Sequence, residues 1–466
     1  MIKAVKFNFK RVNFINFKSY FGKIKEFLKF KGLTMSEISV IILAAGFGTR
    51  MKSKKAKVLF ELCGEPMLFH ILKKAYEITD NVNVVLHYDF ENIKNIVLSK
   101  FPNVKIYKQD HENFPGTAGA LKNINLNSQK TLIICGDMPL VKTAELKKLC
   151  KGEADINLSV FYAENPFGYG RVINKNGKIL KIVEQKDANE QELKENCVNA
   201  GAYCFKTDIL KQILPLIKNE NSQKEYYLTD AIEIALQKKL KCQAIEVAEE
   251  NFMGINDKFA LSKAETIIQN EIKENLMKNG VLMRLPESIY IDSKAKFIGE
   301  CELHENVSII GSCVIENSII KSSSVIENSH IINSDIGPMA HIRPDCEISD
   351  THIGNFVELK KAKVNKIKAG HLSYLGDCEI QEGTNVGCGT ITCNYDGKRK
   401  YRTKIGKNVF IGSDTQLVAP VEIQDNVLIA AGSTITKNVE EGSLAISRIK
   451  QENKPGFFAK FFKEIK

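Results

Sequence analysis

The sequence contains no run of 18 or more apolar residues, and its twelve cysteines form no C-x-x-C pair. The first absence excludes a transmembrane helix. The second predicts no structural zinc site, because Cys388 and Cys393 have no second pair at zinc-site spacing. No secretory signal with a cleavage site precedes the cysteines, so we expect a reduced, cytoplasmic protein. At 466 residues the chain is long enough for two or three domains.

The net charge of +11 is concentrated at one end of the chain. Residues 1–34 hold nine Lys or Arg and one acid, Glu26, which leaves about +3 for all the rest. A nearly neutral body argues against a nucleic-acid partner, whose affinity would depend on many phosphate contacts. The Lys- and Phe-rich segment 1–34 could be a membrane-surface helix, or an upstream start before Met35 without a selected role. We favour the second interpretation and expect no membrane contact through this segment.

Residues 39–257 alternate apolar runs such as "VIILAAG", "VNVVLHY" and "TLIICGDMPL" with helical patterns such as "AELKKLCK". This alternation predicts a Rossmann-like α/β domain with a mostly parallel sheet covered on both faces. Ligands of such sheets bind beyond the carboxyl ends of the strands. Residues 257–282 differ, since Leu261, Ala264, Ile268 and Ile272 form one apolar stripe that predicts a single linking helix.

A six-residue period appears after residue 285. Aliphatic residues recur without a slip at Ile405, Ile411, Leu417, Ile423, Ile429 and Ile435, and again at Ile336, Ile342 and Ile348. The period predicts a solenoid whose coils have three sides and about 18 residues, rather than a β-sandwich with chance spacing. Two segments, 355–377 and 392–403, interrupt it, and we expect loops there that carry a site.

The turn "GFGTR" after the first strand is neither a complete G-x-G-x-x-G nor a P-loop, because Met51 stands where the third glycine would be and no Gly-Lys-Ser/Thr follows. Its backbone N–H groups, with Arg50 and Lys57 nearby, still predict a phosphate-binding turn.

"LAAGFGTRM" with Lys57 resembles the signature of sugar-nucleotide pyrophosphorylases, and "GTAGA", "CGDMPL", "GYGRV", "VEQKDA", "NAGAY" and "GIND" extend the likeness. Together with the hexapeptides and "AGHLSYLGD", residues 36–450 resemble one family. Its members are bacterial bifunctional enzymes with N-acetylglucosamine-1-phosphate uridyltransferase and glucosamine-1-phosphate N-acetyltransferase activities. The resemblance implies a left-handed parallel β-helix, assembly as a homotrimer, and a role in cell-wall and lipopolysaccharide synthesis.

For uridyl transfer the resemblance implies UTP, N-acetylglucosamine 1-phosphate and Mg²⁺ as ligands. It assigns catalytic contacts with phosphates to Arg50 and Lys57, and the metal to Asp137 and Asn256. The nucleotide and sugar contacts that it implies are Leu43, Ala44, Ala45, Gly46, Lys57, Gln109, Gly116, Thr117, Gly170, Glu184, Asn199 and Asn256. The loop "PGTAGA" departs from the family's "LGTGHA", with Pro115 in place of Leu and Gly119 in place of His, and keeps Gly116 and Thr117.

For acetyl transfer from acetyl-CoA to glucosamine 1-phosphate, the resemblance implies that His371 is the general base. The sugar-phosphate contacts that it implies are Arg343, Lys360, Tyr374 and Asn385. The acetyl-CoA contacts that it implies are Cys388, Asn394, Tyr395, Ser413, Ala431 and Arg448. Cys388 stands where the family has Ala.

These observations divide the chain into five parts. We predict a basic extension (1–34), a uridyltransferase domain (35–257), a linker helix (258–281), a β-helical acetyltransferase domain (282–452) and a basic tail (453–466). Two other interpretations stay open at this point. One is a pyrophosphorylase for another sugar with a purely structural β-helix, and the other is a membrane-associated scaffold without enzymatic activity.

Overall fold

The computed structural model of the protein describes residues 37–175 and 178–462. These residues form two units. The first contains residues 37–60 and 66–261, and the second contains residues 61–65 and 262–462. The extension 1–34, with its predicted lack of membrane contact, lies outside the described residues. The part of the chain that is described includes no helix with the length and apolarity needed to span a bilayer.

The apolar runs "VIILAAG", "VNVVLHY" and "TLIICGDMPL" each contain most or all of a strand, as predicted, and the structure adds further strands up to residue 246. In chain order the strands are β1 (Ile38–Ala44), β2 (Glu61–Leu62), β3 (Glu65–Pro66), β4 (Val82–Leu86), β5 (Lys105–Lys108), β6 (Lys130–Cys135), β7 (Ile156–Tyr162), β8 (Arg171–Lys175), β9 (Lys178–Val183), β10 (Cys197–Lys206) and β11 (Cys242–Glu246). The helices are α1 (Met67–Tyr76), α2 (Phe90–Lys100), α3 (Thr143–Lys151), α4 (Thr207–Ile213), α5 (Asp230–Gln237) and α6 (Lys258–Lys278).

The main sheet of the first unit has the strand order β11-β7-β10-β6-β1-β4-β5. Strands β5, β4, β1 and β6 are parallel, as are β7 and β11. Strand β10 is antiparallel to both of its neighbours, β6 and β7, so the sheet is mixed. The sequence did not indicate this reversal, because a strand buried on both faces has the same apolar pattern in either direction.

Alternate residues of β1 enter different cores. Val40 and Ile42 pack into a cluster on one face of the sheet, and Ile41 packs into a cluster on the other face. All three are fully buried. The sheet is therefore covered on both faces, as predicted, and its ligand-binding edge is the edge where β1 and β6 end.

From residue 282 onward, the second unit is built from short strands, followed near its end by the helix α7 (Phe457–Phe462). Its strands are β12 (Leu282–Met283), β13 (Tyr290–Ile291), β14 (Lys296–Ile298), β15 (Glu302–Leu303), β16 (Ser308–Ile310), β17 (Val314–Glu316), β18 (Ile319–Ile320), β19 (Val325–Glu327), β20 (His330–Ile332), β21 (Asp335–Ile336), β22 (His341–Ile342), β23 (Glu347–Ser349), β24 (His352–Asn355), β25 (Glu358–Lys360), β26 (Lys363–Asn365), β27 (Lys368–His371), β28 (Tyr374–Gly376), β29 (Cys378–Ile380), β30 (Asn385–Val386), β31 (Ile391–Cys393), β32 (Thr403–Ile405), β33 (Phe410–Ile411), β34 (Gln416–Val418), β35 (Val421–Ile423), β36 (Leu428–Ile429), β37 (Thr434–Ile435) and β38 (Leu444–Ala445).

These strands form three parallel sheets in which every third strand pairs. Face A begins with β12 and β15, face B with β13 and β16, and face C with β14 and β17. The unit is thus the predicted left-handed parallel β-helix. The aliphatic residues of the six-residue period are buried along its axis, from Ile336 to Ile435.

The prediction of a loop at residues 355–377 is wrong. This segment forms β25 to β28, and the period slips because the coils are shorter. Ile326 pairs with Ile342, and Leu359 pairs with Leu375, so these coils have 16 residues instead of 18. The second interruption does contain a loop, since Thr392 pairs with Leu417 across residues 394–402.

Helix α6 has the predicted apolar stripe. Ala264 and Ile268 are buried, while Ile272 and Leu276 pack against the β-helix core. The buried amide of Gln269 adds a polar link, because its Nε2 donates to Ile291 O at 2.7 Å.

The axis of the β-helix provides a matched test of its packing. Ile309 is fully buried in β16, whereas Ile310, the next residue of the same strand, is 38% exposed. We expect Ile309→Ala to lower the free energy of unfolding by about 2–5 kcal/mol, through lost transfer energy and a residual cavity. The control Ile310→Ala should cost about 0.5 kcal/mol or less. Urea unfolding followed by circular dichroism measures both, and equal losses would contradict this account of the core.

Candidate functional sites

A cavity of about 410 Å³ lies at the end of β1. It is lined by the glycine turn, by the loop after β5 and by the segment after β6. Nine of the residues assigned from the resemblance line it, namely Leu43, Ala44, Ala45, Gly46, Lys57, Gln109, Gly116, Thr117 and Asp137. Arg50 does not line it, and its exposed side chain lies in the turn Thr49–Met51.

Lys57 connects the two predicted metal ligands. Its Nζ lies 2.5 Å from Asp137 Oδ2 and 3.2 Å from Asn256 Oδ1. One carboxylate oxygen and one amide oxygen, from residues far apart in the sequence, therefore both contact the ammonium of Lys57. Two oxygen ligands suit Mg²⁺, which usually takes its remaining ligands from water and substrate phosphates. No group of three or more His, Cys, Asp or Glu residues suited to a metal occurs in the described ranges.

The loop that contains the departures from the family motif is tightly held. Gln109 Nε2 donates to Phe114 O at 2.9 Å and to Gly116 O at 3.0 Å. A Cβ at Gly119 would lie 2.1 Å from Phe114 O, so this loop conformation requires glycine there. Pro115 O accepts a hydrogen bond from Tyr226 N at 2.9 Å. The backbone conformation of the loop thus requires Gly119, and Pro115 contributes a backbone hydrogen bond that holds the loop.

Phe47 and His111, which the sequence analysis did not predict, line the cavity at the end of β1, and His87 packs against both of them. The Phe47 ring lies edge-on to the rings of His87 and His111, with centroids 5.2 Å away in both cases. The two imidazoles stack on each other at 4.8 Å. His111 lines the cavity, and its position two residues after Gln109 was the available signal.

The predicted sugar contacts gather in a second group. Asn199 N donates to Gly170 O at 2.9 Å, and Thr229 Oγ1 donates to Glu184 Oε1 at 3.1 Å. Burial raises the pKa of Glu184. Burial, and next the neighbouring charge of Glu184, raise the pKa of Asp230 to about 6. Two carboxylates in one half-buried group cannot easily both ionise.

A groove of about 570 Å³ runs along face A of the β-helix, across β24, β27, β30, β33 and β36. Five of the residues assigned to acetyl transfer line it, namely His371, Asn385, Cys388, Ser413 and Ala431. Arg448 is close by, since its Nη1 donates to Ala431 O at 3.0 Å. Asn394 and Tyr395 lie in the loop of residues 394–402.

The predicted sugar-phosphate residues Arg343, Lys360 and Tyr374 belong to face B and do not line the groove. Arg343 Nη1 pairs with Glu358 Oε1 at 2.9 Å. The ammonium of Lys400, and next the charge of Arg343, hold the pKa of Lys360 below its usual range. This concentration of like charge is suited to binding a phosphate.

The twelve cysteines are all free thiols. Burial raises the pKa of Cys135, which lines the cavity at the end of β1, to about 12. A thiol with so high a pKa is not a nucleophile near neutral pH.

Comparison with known proteins gives two domain matches. The MobA-like NTP transferase domain matches residues 40–214, and the bacterial transferase hexapeptide (six repeats) matches residues 402–437. Among curated relatives, bifunctional protein GlmU of Campylobacter concisus is 71% identical over 91% of this chain and 97% of its own length. The proteins of the same name from Campylobacter curvus and Campylobacter fetus are 68% and 66% identical, each over 92% of this chain, and over 98% and 99% of their own lengths.

The raised pKa of Asp230 predicts that ionisation of this carboxyl lowers the stability of the folded protein as the pH rises. Because the folded-state pKa of about 6 lies above the usual 3.8, the native state binds the proton more tightly, and stability falls as pH rises between these values. We therefore expect Asp230→Asn to raise the melting temperature at pH 7.5, with a difference that disappears near pH 4.

The control is Asp208→Asn, because Asp208 lies in the first turn of α4 with its side chain 88% exposed. It should change the melting temperature little at either pH. A melting temperature for Asp230→Asn at or below that of the unaltered protein at pH 7.5 would contradict this loss of stability.

Proposed function

The chain belongs to the family of bifunctional GlmU proteins, and from this premise we propose how its two sites divide two reactions between them. The protein acetylates glucosamine 1-phosphate with acetyl-CoA. It then transfers UMP from UTP to N-acetylglucosamine 1-phosphate and releases pyrophosphate, forming UDP-N-acetylglucosamine. Membership of this family sets aside both the single-activity pyrophosphorylase and the non-enzymatic scaffold.

The cavity at the end of β1 is the proposed site of uridyl transfer. Its main support is the convergence of Lys57, Asp137 and Asn256, which places a cation and two oxygen ligands beside the glycine turn. Backbone N–H groups of Leu43–Gly46 and the side chains of Gln109 and Thr117 would hold UTP. Lys57 and Arg50 would neutralise charge on the phosphates as the sugar phosphate attacks the α-phosphorus.

Asp137 and Asn256 are the proposed ligands of Mg²⁺. The bound ion would supply positive charge to the phosphate oxygens. Because Lys57 contacts both oxygens, we propose that its ammonium moves from them to the phosphates when metal and UTP bind. Gly170, Glu184 and Asn199 would contact the sugar, whose hydroxyl groups can donate to Glu184.

The groove on face A is the proposed site of acetyl transfer, with acetyl-CoA along Cys388, Ser413 and Ala431. His371 would accept a proton from the amine of glucosamine 1-phosphate as the nitrogen attacks the thioester carbonyl. The C–S bond then breaks, and the thiolate of coenzyme A leaves and takes up a proton. Arg343 and Lys360 would bind the sugar phosphate, and Tyr374 and Asn385 would orient the sugar.

The two activities should be separable by single substitutions. We expect His371→Ala to lower acetyl transfer by about 10²–10⁴-fold, the usual loss for a general base. Uridyl transfer from supplied N-acetylglucosamine 1-phosphate should be unchanged. Asp137→Asn should do the reverse, because a charged metal ligand becomes neutral. Coupled assays of pyrophosphate and of free coenzyme A measure the two rates.

His352→Ala is the matched control for His371→Ala. His352 also lines the groove, but its Nδ1 is held by Asp335 at 2.8 Å. Acetyl transfer retained by His371→Ala, or lost equally in His352→Ala, would remove His371 from its proposed role.

We propose a homotrimer in the cytoplasm. The trimer is supported by the hexapeptide repeats and by the open groove on face A, which a neighbouring chain could cover. The cytoplasm is supported by the free cysteines and by the use of UTP and acetyl-CoA, which are cytoplasmic metabolites.

If neighbouring chains of the trimer share the acetyl-transfer site, acetyl transfer requires the assembled trimer. We expect light scattering to give the mass of three chains. On serial dilution, acetyl transfer per chain should fall as the trimer dissociates, whereas uridyl transfer per chain stays constant. A monomeric protein with full acetyl transfer would contradict the shared site and leave the reactions themselves standing.

A further inference from the structure

We infer that Asn355 is a positioning residue for acetyl transfer, which fixes the tautomer and the ring orientation of His371. The inference rests on the proposed role of His371 as general base. Its observation is a hydrogen bond of 2.7 Å between His371 Nδ1 and Asn355 Oδ1.

The contact is built into the stacking of two coils. Strands β24 and β27 pair in parallel on face A, with Asn355 directly beside His371 in the register. Leu372 N also donates to Asn355 O at 3.1 Å, so the backbone holds the pair in place. Each of these two strands has four residues, longer than the other strands of residues 282–445.

The residues that precede the pair bring the two strands together. Gly354 precedes Asn355, and Gly370 precedes His371. A Cβ added at Gly354 would lie 1.9 Å from Gly370 O, so only glycine permits this approach. The close approach occurs beside the two side chains that share the hydrogen bond.

Chemistry then decides the direction of the hydrogen bond. A general base needs a free lone pair, and the two nitrogens of a neutral imidazole are one donor and one acceptor. Within the described residues, His371 Nε2 makes no hydrogen bond, and the ring borders the groove. If Nδ1 carries the proton and donates it to Asn355 Oδ1, then Nε2 holds the lone pair that accepts the proton of the amine.

Within the described residues, no ionisable side chain of β24, β27 or β30 forms a hydrogen bond with the His371 ring. On β24, His352 is held by Asp335 through its Nδ1. On β27 itself, Lys368 pairs with His352 at the opposite end of the strand, and β30 contributes the neutral Asn385. A substitution at Asn355 should therefore change the tautomer and orientation of the His371 ring without altering an ionisable neighbour.

Two substitutions at Asn355 separate positioning from simple structural support. Asn355→Ala removes the acceptor, and we expect kcat of acetyl transfer to fall by about 10–100-fold, a part of the effect of a whole general base. The KM values for acetyl-CoA and glucosamine 1-phosphate should stay within about twofold. Asn355→Asp keeps the acceptor and adds a charge that favours the imidazolium. We expect it to restore the rate at alkaline pH and to move the acid limb of the kcat/KM profile up by about one pH unit.

Asn365→Ala is the matched control. Asn365 also accepts one side-chain hydrogen bond from the neighbouring coil, at 2.9 Å from Ser349 Oγ and across the same 16 residues. It should leave the rate and the pH profile of acetyl transfer unchanged. Uridyl transfer, measured on the same preparations of the full chain, reports whether each variant is folded.

The outcomes are distinguishable. If His371→Ala loses acetyl transfer while Asn355→Ala keeps the unaltered rate and pH profile, the positioning role is overturned and the proposed base stands. An unshifted pH profile in Asn355→Asp overturns it as well. If His371→Ala itself retains acetyl transfer, the base is wrong and the inference fails with it.

Discussion

The register between successive coils is the constraint on which the proposed acetyl-transfer site depends. The coils pair in parallel, so each side chain lies beside its counterpart one coil away. Moving one strand by one residue would turn the aliphatic side chain that it contributes to the axis outward, and burial therefore fixes the register. The same register places Asn355 beside His371 and aligns five strands along one groove. The axis and the site are thus specified by a single set of strand pairs.

A comparable constraint acts in the first unit, where the order of the strands in the sheet, and not the stacking of coils, brings the site residues together. Strands β1 and β6 are neighbours, and Gly136 N donates to Leu43 O at 2.7 Å, so the pairing continues to the residue before Asp137. Ile255 N donates to Asp137 O at 2.8 Å, which brings Asn256 to the same edge. Residues that are 80 and 199 positions from Lys57 therefore meet at its ammonium.

The features that the sequence could predict are those with a local physical cause. The six-residue period predicted the β-helix because each aliphatic residue of the period has to reach the axis. The slip at residues 355–377 suggested a loop, although the coil merely shortens to 16 residues and keeps its strands. The contact of Asn355 with His371 depends on that coil length, which no local pattern encodes. Equally, nothing local distinguishes the antiparallel β10 from its parallel neighbours.

Some charged side chains have a partner of opposite charge within the fold, and others lie beside groups of the same charge. We expect groups of the second kind to bind ligands. Lys57 is neutralised by Asp137, whereas the charge of Glu184 contributes to the raised pKa of Asp230, and Lys400 lowers the pKa of Lys360. Uncompensated like charges cost stability, and they persist where a ligand supplies the missing partner. A sugar hydroxyl can donate to Glu184, and a phosphate can neutralise Lys360. Glu184 and Lys360, which folding leaves in unfavourable surroundings, are therefore groups that the proposed substrates would satisfy.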